Sequence, residues 1–492
     1  MHHQNRKTIT RDISWLSFNR RVLQEAMDVT TPLKERIKFL GIFSNNMDEF
    51  YRVRVATLKR MIQMDNKAKM HLETNAAIIL DTIQKKVLDM QRDFENTWTS
   101  IQSELRKKKI YLIDEKKLNV DQQRYVLKYF NEQVRSQIVP LMIESIDSFP
   151  ALSDKYIYLA CVLSRKDKSI NQKYALIQIP TRILPRFLIL PTNKKEQPVL
   201  LLEDVIRYCL PNIFYFFGYD QFSAYAIKVT RDAEIDIDND LSTTLIQKIE
   251  KGLKNRKNAK PTRLVYDKEI PVAFLNYLIR RLGLTKKDNL IPGGRIHNFK
   301  DFMNFPESVF KEKSQRKAPF THPSLRNIHS ITEVILRKDV MLHFPYHSFN
   351  SLIDFLREAA MDPDVSNIKI TCYRLASQSK IINALINAAR NGKEVTVAIE
   401  LRARFDEEAN LTWKTELEDA GIKVLIGVPN MKVHAKACLI RKKIKNKTIQ
   451  YGFVSTGNLN EKTAQVYGDH CLLTADKKIM GDINRLFRFL EK

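Results

Sequence analysis

In Lys432-Val433-His434-Ala435-Lys436 an imidazole and an ammonium stand two residues apart. Further on, Thr456-Gly457-Asn458-Leu459-Asn460 offers a glycine that lets backbone approach an anion closely, and two amides that can donate to phosphate oxygens. A nucleophile, a cation and amide donors around one phosphate-sized site are the parts needed for phosphoryl transfer through a histidine. An H-x-K triplet alone arises by chance, and a histidine on a strand is more often a satisfied structural residue. The Thr-Gly-Asn-x-Asn segment gives the triplet its weight.

The elements that must position these groups follow from periodicity. Lys423 to Val428 and Lys432 to Ile440 are short apolar runs that read as strands. Side chains alternate along a strand, so His434 and Lys436 share one face and Ala435 and Ala437 the other. Ile449 to Ser455 is a further strand and leads into the polar loop. Upstream the pattern alternates: Ile368 to Tyr373 as strand, Lys380 to Arg390 as helix closed by Gly392, Glu394 to Glu400 as strand, and Glu407 to Ala420 as helix closed by Gly421. This order predicts crossover units on a largely parallel sheet. Ligands of open α/β sheets bind beyond the carboxyl ends of strands. Arg374 follows the first of these strands, and Arg402 and Arg404 follow the second. Their guanidiniums suit forked contacts with phosphate oxygens near His434 and Lys436. The plainer alternative is ion pairing with Asp406, Glu407 and Glu408.

The 492 residues exceed one core and imply two to four domains. With 44% hydrophobic residues and only 13 Gly the chain is globular. The first hundred residues read as helical. Leu33, Ile37 and Leu40 recur on one face, and Ile83, Val87, Met90, Phe94, Trp98, Ile101 and Leu105 mark a long amphipathic helix whose stripe is packing. Between them, Phe43-Ser44-Asn45-Asn46-Met47-Asp48-Glu49-Phe50-Tyr51 is a polar patch bounded by aromatics, read most plainly as a helix N-cap. From about Ile110 a mixed region follows, with strands at Tyr156 to Ser164, Tyr174 to Ile179, Phe187 to Leu190 and Ser223 to Val229. Its Leu290-Ile291-Pro292-Gly293-Gly294-Arg295-Ile296-His297-Asn298 is a turn followed by polar groups, fit to line a channel or to form a loop. Lys311 to Pro319 reads as a linker.

Five scattered cysteines, none in a C-x-x-C pair, support neither a disulfide framework nor a thiolate zinc site and fit a reducing cytoplasm. No apolar stretch reaches the roughly 20 residues that span a bilayer, and Met1 to Arg6 lacks the apolar core of a signal peptide. A net charge of +26 implies a polyanionic partner: nucleic acid, an anionic membrane surface or inorganic polyphosphate.

Several segments together resemble one family. Ile13-Ser14-Trp15-Leu16-Ser17-Phe18-Asn19, Ser44-Asn45-Asn46-Met47-Asp48-Glu49-Phe50, Ile291-Pro292-Gly293-Gly294-Arg295, Cys372-Tyr373-Arg374, Ala403-Arg404-Phe405-Asp406-Glu407-Glu408-Ala409-Asn410 and the His434 region are similar to bacterial polyphosphate kinases of type 1, the polymer-synthesising kind, which share a fold with phospholipase D. The resemblance implies a multidomain α/β protein, α+β overall. It divides the chain into a helical N-terminal domain (1–107), a mixed α+β head domain (108–318) and a first phospholipase-D-like α/β C-terminal domain (319–492). The second C-terminal domain of the family, which carries further active-site residues, is expected to be absent.

The same resemblance implies reversible transfer of the ATP γ-phosphate to the end of inorganic polyphosphate. His434 takes the part of the phosphorylated histidine, with Lys436, Asn458 and Asn460 beside it. Asn46, or failing that Asn45, contacts the ATP base, and Tyr467 binds ATP. Arg374 and Arg404 stand where the family associates Mg²⁺. A guanidinium has no lone pair to offer a cation, so the arginines are expected to act through phosphate oxygens. ATP, ADP and polyphosphate are the implied partners, and a homo-oligomer, dimer or tetramer, is implied as well. Nucleic acid and a transmembrane segment are not expected. The implied location is the cytoplasm, or peripheral attachment at a membrane. Two alternatives stand beside this reading: a truncated fragment that binds polyphosphate or ATP without turnover, and a phospholipase-D-like phosphodiesterase that would have to pair two His434 sites in a homodimer. Arg441 stands five residues after Lys436, where the phospholipase motif has Asp, and this favours the kinase.

Overall fold

The computed structural model describes residues 9–492 except 64–69, 148, 155, 193, 232–245, 248, 253–260, 286–288, 312–316, 377, 404–405, 429–430 and 446. Arg404 and most of the expected linker therefore lie outside the described residues. The chain forms two compact units, residues 1–238 with 251–313, and residues 239–250 with 314–492.

The first unit begins with four helices, α1 (Arg11–Met27), α2 (Leu33–Phe50), α3 (Ala56–Gln63) and α4 (Met70–Lys107). Their apolar stripes form one core. Ile37 and Leu40 of α2 and Ile83, Val87, Met90, Phe94, Ile101 and Leu105 of α4 are buried, with Trp98 partly so. Each such side chain contributes roughly 1.5–3 kcal/mol of transfer free energy. Trp15 stacks on Phe50 at 4.7 Å, and Phe43 on Phe94 at 5.7 Å.

Ser44 to Glu49 correct one expectation, because they lie in the last turns of α2 and not at a helix N-cap. Asp48 is buried there and pairs with Lys228 and, at 3.2 Å, with Arg263. A helix interior accepts this carboxylate because its partners arrive from distant strands.

Those strands belong to the mixed part of the unit. They are β1 (Ile110–Ile113), β2 (Pro140–Met142), β3 (Tyr158–Ser164), β4 (Lys173–Gln178) and β5 (Phe187–Ile189). After them come β6 (Gln197–Leu201), β7 (Gln221–Arg231), β8 (Pro261–Asp267) and β9 (Asn289–Gly293). Six form a sheet in the order β2-β4-β3-β7-β8-β9, and β1-β6-β5 form a smaller one. The strands expected at Tyr156, Tyr174, Phe187 and Ser223 are all present within a few residues of those bounds.

The second unit is built on β10 (Val340–Phe344), β11 (Val365–Cys372), β12 (Glu394–Ile399), β13 (Lys423–Ile426), β14 (Ala437–Ile444), β15 (Lys447–Ser455) and β16 (Asp469–Thr474). Their order is β10-β16-β15-β14-β11-β12-β13. Helices Lys380–Arg390 and Glu407–Asp419 make the two crossovers between β11, β12 and β13, and Gly392 and Gly421, both at φ 77°, close them. The sheet is mixed and not largely parallel: only the β11–β12 and β12–β13 pairs are parallel, and the other four pairings are antiparallel. The strands after β13 are joined without crossover helices, so they must run antiparallel.

Candidate active site

The register brings the chemistry to one end of this sheet. Ile370 of β11 pairs with Cys438 of β14, and Ala437 of β14 with Val454 of β15. Ser455 of β15 pairs with Cys471 of β16. The carboxyl ends of β11, β12 and β15 therefore meet the amino ends of β14 and β16. Tyr373 and Arg374, Glu400 and Arg402, His434 and Lys436, Thr456 to Asn458, and Asp469 all emerge there.

His434 and Lys436 precede β14 and are not part of a strand, as the apolar run Lys432 to Ile440 had suggested. Side chains hold this segment where a neighbouring strand would. Val433 N donates to Glu400 Oε2 at 2.8 Å, and Thr371 Oγ1 donates to Ala435 O at 2.8 Å and accepts from Ala437 N at 3.0 Å. Glu400 and Thr371 are both buried, so the backbone on either side of His434 is fixed. The side chains of His434 and Lys436 lie on one side of this segment, in contact with each other.

Lys436 Nζ sits 3.0 Å from both ring nitrogens of His434 and donates to the His434 carbonyl at 2.8 Å. The Tyr373 ring meets the imidazole edge to face, centroids 4.6 Å apart. It also lies 5.2 Å from Lys436 Nζ and 5.9 Å from the Arg374 guanidinium, so two cations lie over its π-system. Burial, then Lys436 and Arg374, hold His434 below the ordinary imidazole range. Burial also lowers the Lys436 ammonium; Asp469 opposes this and Arg374 adds to it. At neutral pH His434 therefore carries a free lone pair beside two cations, which suits attack on an anionic phosphoryl group.

Arg374 pairs with Asp406 at 3.2 Å. Arg402 instead turns back to Glu400, which accepts from its backbone N at 2.9 Å and its Nε at 3.3 Å, and to the Val428 and Met431 carbonyls. Ion pairing thus accounts for Arg402, through Glu400 and not through the acidic run that follows.

The loop after β15 is anchored through Asp469. Thr456 Oγ1 donates to Asp469 Oδ1 at 2.8 Å, and a Cβ on Gly457 would stand 2.5 Å from the Asp469 carboxyl, so only glycine fits. Asn458 is half buried, and its Oδ1 has no hydrogen-bond partner among the described residues. Asn460 spends its carbonyl on Lys462 N (3.0 Å) and Thr463 N (3.2 Å), starting a turn, and keeps only its NH₂ for a ligand. Tyr467 is 62% exposed. Asn46 belongs to the first unit, where its amide donates to Asn19 Oδ1 at 3.0 Å, while Asn45 is exposed.

Of the residues expected from sequence, the fold brings His434, Lys436 and Arg374 together. It adds Tyr373, Asp469, Thr371 and Glu400, which sequence reasoning did not assign. Tyr373 stood inside the Cys372-Tyr373-Arg374 segment, whereas the bonds of Asp469, Thr371 and Glu400 are visible only in three dimensions. Among the described residues no group of three His, Cys, Asp or Glu is placed to hold a metal ion.

Residues 8–113 match the polyphosphate kinase N-terminal domain, 121–305 the polyphosphate kinase middle domain and 330–492 the polyphosphate kinase C-terminal domain 1. The chain is 42% identical over 489 residues to the polyphosphate kinase of Vibrio parahaemolyticus, covering 98% of this chain and 69% of that protein. It is 42% identical over 499 residues to that of Escherichia coli K12, covering 99% and 71%. The crystal structure of polyphosphate kinase from Porphyromonas gingivalis superposes with a TM-score of 0.77 at 33% identity, covering 98% of this chain and 69% of that one.

Proposed function

The chain belongs to the polyphosphate kinase family of phosphotransferases, and we propose that it moves the γ-phosphoryl group of ATP to the end of inorganic polyphosphate through a phosphohistidine on His434. The observation that carries this reading is the placing of the His434 imidazole, held between the Thr371 and Glu400 bonds with Lys436 at 3.0 Å and Arg374 alongside.

In the first half-reaction the imidazole lone pair forms a bond to the γ-phosphorus. The bond to the bridging oxygen breaks, and ADP leaves with the electron pair. Lys436 moves its donors from the ring to the equatorial oxygens, where Arg374 and the Asn458 and Asn460 amides join it. In the second half-reaction a terminal oxygen of polyphosphate attacks the phosphorus, the P–N bond breaks, and its electron pair returns to the ring. One phosphoanhydride replaces another, so the reaction runs both ways.

Mg²⁺ enters as part of the substrate, carried on ATP. Arg374 and Arg404 would grip the phosphate oxygens that hold it, in line with the preference of this ion for phosphate and water. Asn46 contacts the adenine and Tyr467 the nucleotide in this scheme. Five buried free thiols support a reducing cytoplasm, and assembly into a dimer or tetramer follows the family. No helix among the described residues is long and apolar enough to cross a membrane.

Purified protein given MgATP and a short polyphosphate primer should produce ADP and longer chains, and given ADP and polyphosphate should produce ATP. His434→Ala should abolish both directions while leaving the fold intact. Turnover retained in that variant would refute the proposal.

A further inference from the structure

Two polar segments, the end of α2 that also carries Asn46 and the segment after β9, meet in the first unit. Ser44 and Asp48 of α2, Lys228 of β7, Arg263 of β8, and Gly294 and His297 of the segment after β9 wall a cavity of about 70 Å³. A water needs roughly 10–15 Å³ on such a measure, so the space suits a few waters or one tetrahedral oxyanion.

Its charges are only partly matched. Lys228 Nζ donates to Asp48 and, at 2.6 Å, to Asn298 Oδ1, and Arg263 Nη1 reaches Asp48 Oδ1 at 3.2 Å. Two cations against one carboxylate leave the lining net positive. Two buried atoms in it, Arg263 Nε and His297 Nε2, have no hydrogen-bond partner among the described residues. His297 is 5% exposed, and burial followed by Lys228 and Arg186 pushes its pKa down to about 3, so the ring is neutral. Its other nitrogen is engaged by the Ala226 backbone, which leaves Nε2 as a lone pair seeking a donor. Buried polar atoms in native structures nearly always find a partner, protein or otherwise.

The occupant must therefore be small, carry negative charge, accept from Lys228 and Arg263, and still present a hydrogen to His297. Water lacks the charge, a carboxylate or halide lacks the hydrogen, and a nucleotide or polyphosphate chain would have to extend beyond the space these groups enclose. A protonated phosphate ion meets all four demands. We propose that this cavity is a binding site for inorganic phosphate, lying wholly within the first unit and tying α2 to the sheet and to the Gly293–Asn298 segment.

The test is histidine-labelled NMR of the full chain titrated with inorganic phosphate, with the His297 resonance identified by its loss in His297→Gln. A Cβ on Gly294 meets nothing within 4 Å, so Gly294→Val adds bulk to the cavity wall without a backbone clash. Lys228→Met removes one of the two cations and leaves Asp48 paired with Arg263, so no lone buried charge is left. The His297 signal should move saturably with phosphate in the wild type. The response should weaken at least tenfold in both variants, each folded by circular dichroism. A His297 signal unmoved at tens of millimolar phosphate, an undiminished response in Gly294→Val, or a response to tripolyphosphate or ADP but not to phosphate would each overturn the assignment.

Discussion

At the residue scale the site rests on how cations tune one imidazole. Lys436 and Arg374 both disfavour the protonated ring of His434, so removing a cation must raise its pKa. Lys436→Met should move the His434 titration up toward the ordinary value near 6.5, followed by imidazole NMR; a fall would mean that Lys436 acts otherwise. In the wild type the phosphorylation half-reaction should be flat around neutral pH and decline only as pH drops below 6.5, because protonation occupies the attacking lone pair. Arg374→Lys keeps the charge but loses the planar fork and should lower single-turnover phosphorylation by about 10²-fold, the scale of losing one well-placed donor. The His434 and Lys436 pair was legible in sequence, since two residues in extended backbone share a side. Tyr373 was not, because its value lies in facing both cations and the ring at once.

At the element scale the decisive contacts are those that place the His434 segment against β11. Thr371→Val keeps the shape and removes the hydroxyl that serves Ala435 and Ala437. It should cost about 1–3 kcal/mol of stability and reduce phosphorylation, measured by thermal melting and single turnover. Gly452→Ala on β15 should do greater damage, because its Cβ would fall 1.9 Å from the Cys438 carbonyl oxygen of β14, and soluble yield and melting temperature should both fall.

His297 supplies a pH effect with a definite sign. Its folded pKa of about 3 lies below the unfolded value near 6.5, so the unfolded chain gains the proton first as pH falls. Stability should drop between pH 6.5 and 4, and His297→Gln should flatten that slope by up to about 1.4 kcal/mol per pH unit. The crossover helices and their strands were readable from apolar period and closing glycines, and Lys380–Arg390 agrees residue for residue. Two of the misreadings share one cause. The Ser44 to Glu49 run looked like a cap because Lys228 and Arg263 are remote in sequence. Lys432 to Lys436 looked like strand because Glu400 and Thr371 occupy backbone groups that a ladder would otherwise use.

At the scale of the whole molecule the surplus of 26 positive charges makes long-range attraction of a polyanion inevitable and salt-sensitive. Screening shortens from about 10 Å at 0.1 M salt to about 3 Å at 1 M. Polyphosphate affinity should therefore fall steeply across that range, and salt-independent binding would show that surface charge is not what gathers the polymer. Charge alone did not choose among polyanions in the sequence; the choice of polyphosphate rests on the family to which the chain belongs.

The most direct test of the account is to incubate the purified chain with MgATP labelled at the γ-phosphate and to locate the label by peptide mapping. Acid-labile, alkali-stable phosphate on His434, absent from His434→Ala and discharged by added ADP or polyphosphate, is the result predicted. Label that persists in His434→Ala, or polymer synthesis with no label on the protein at all, would contradict it.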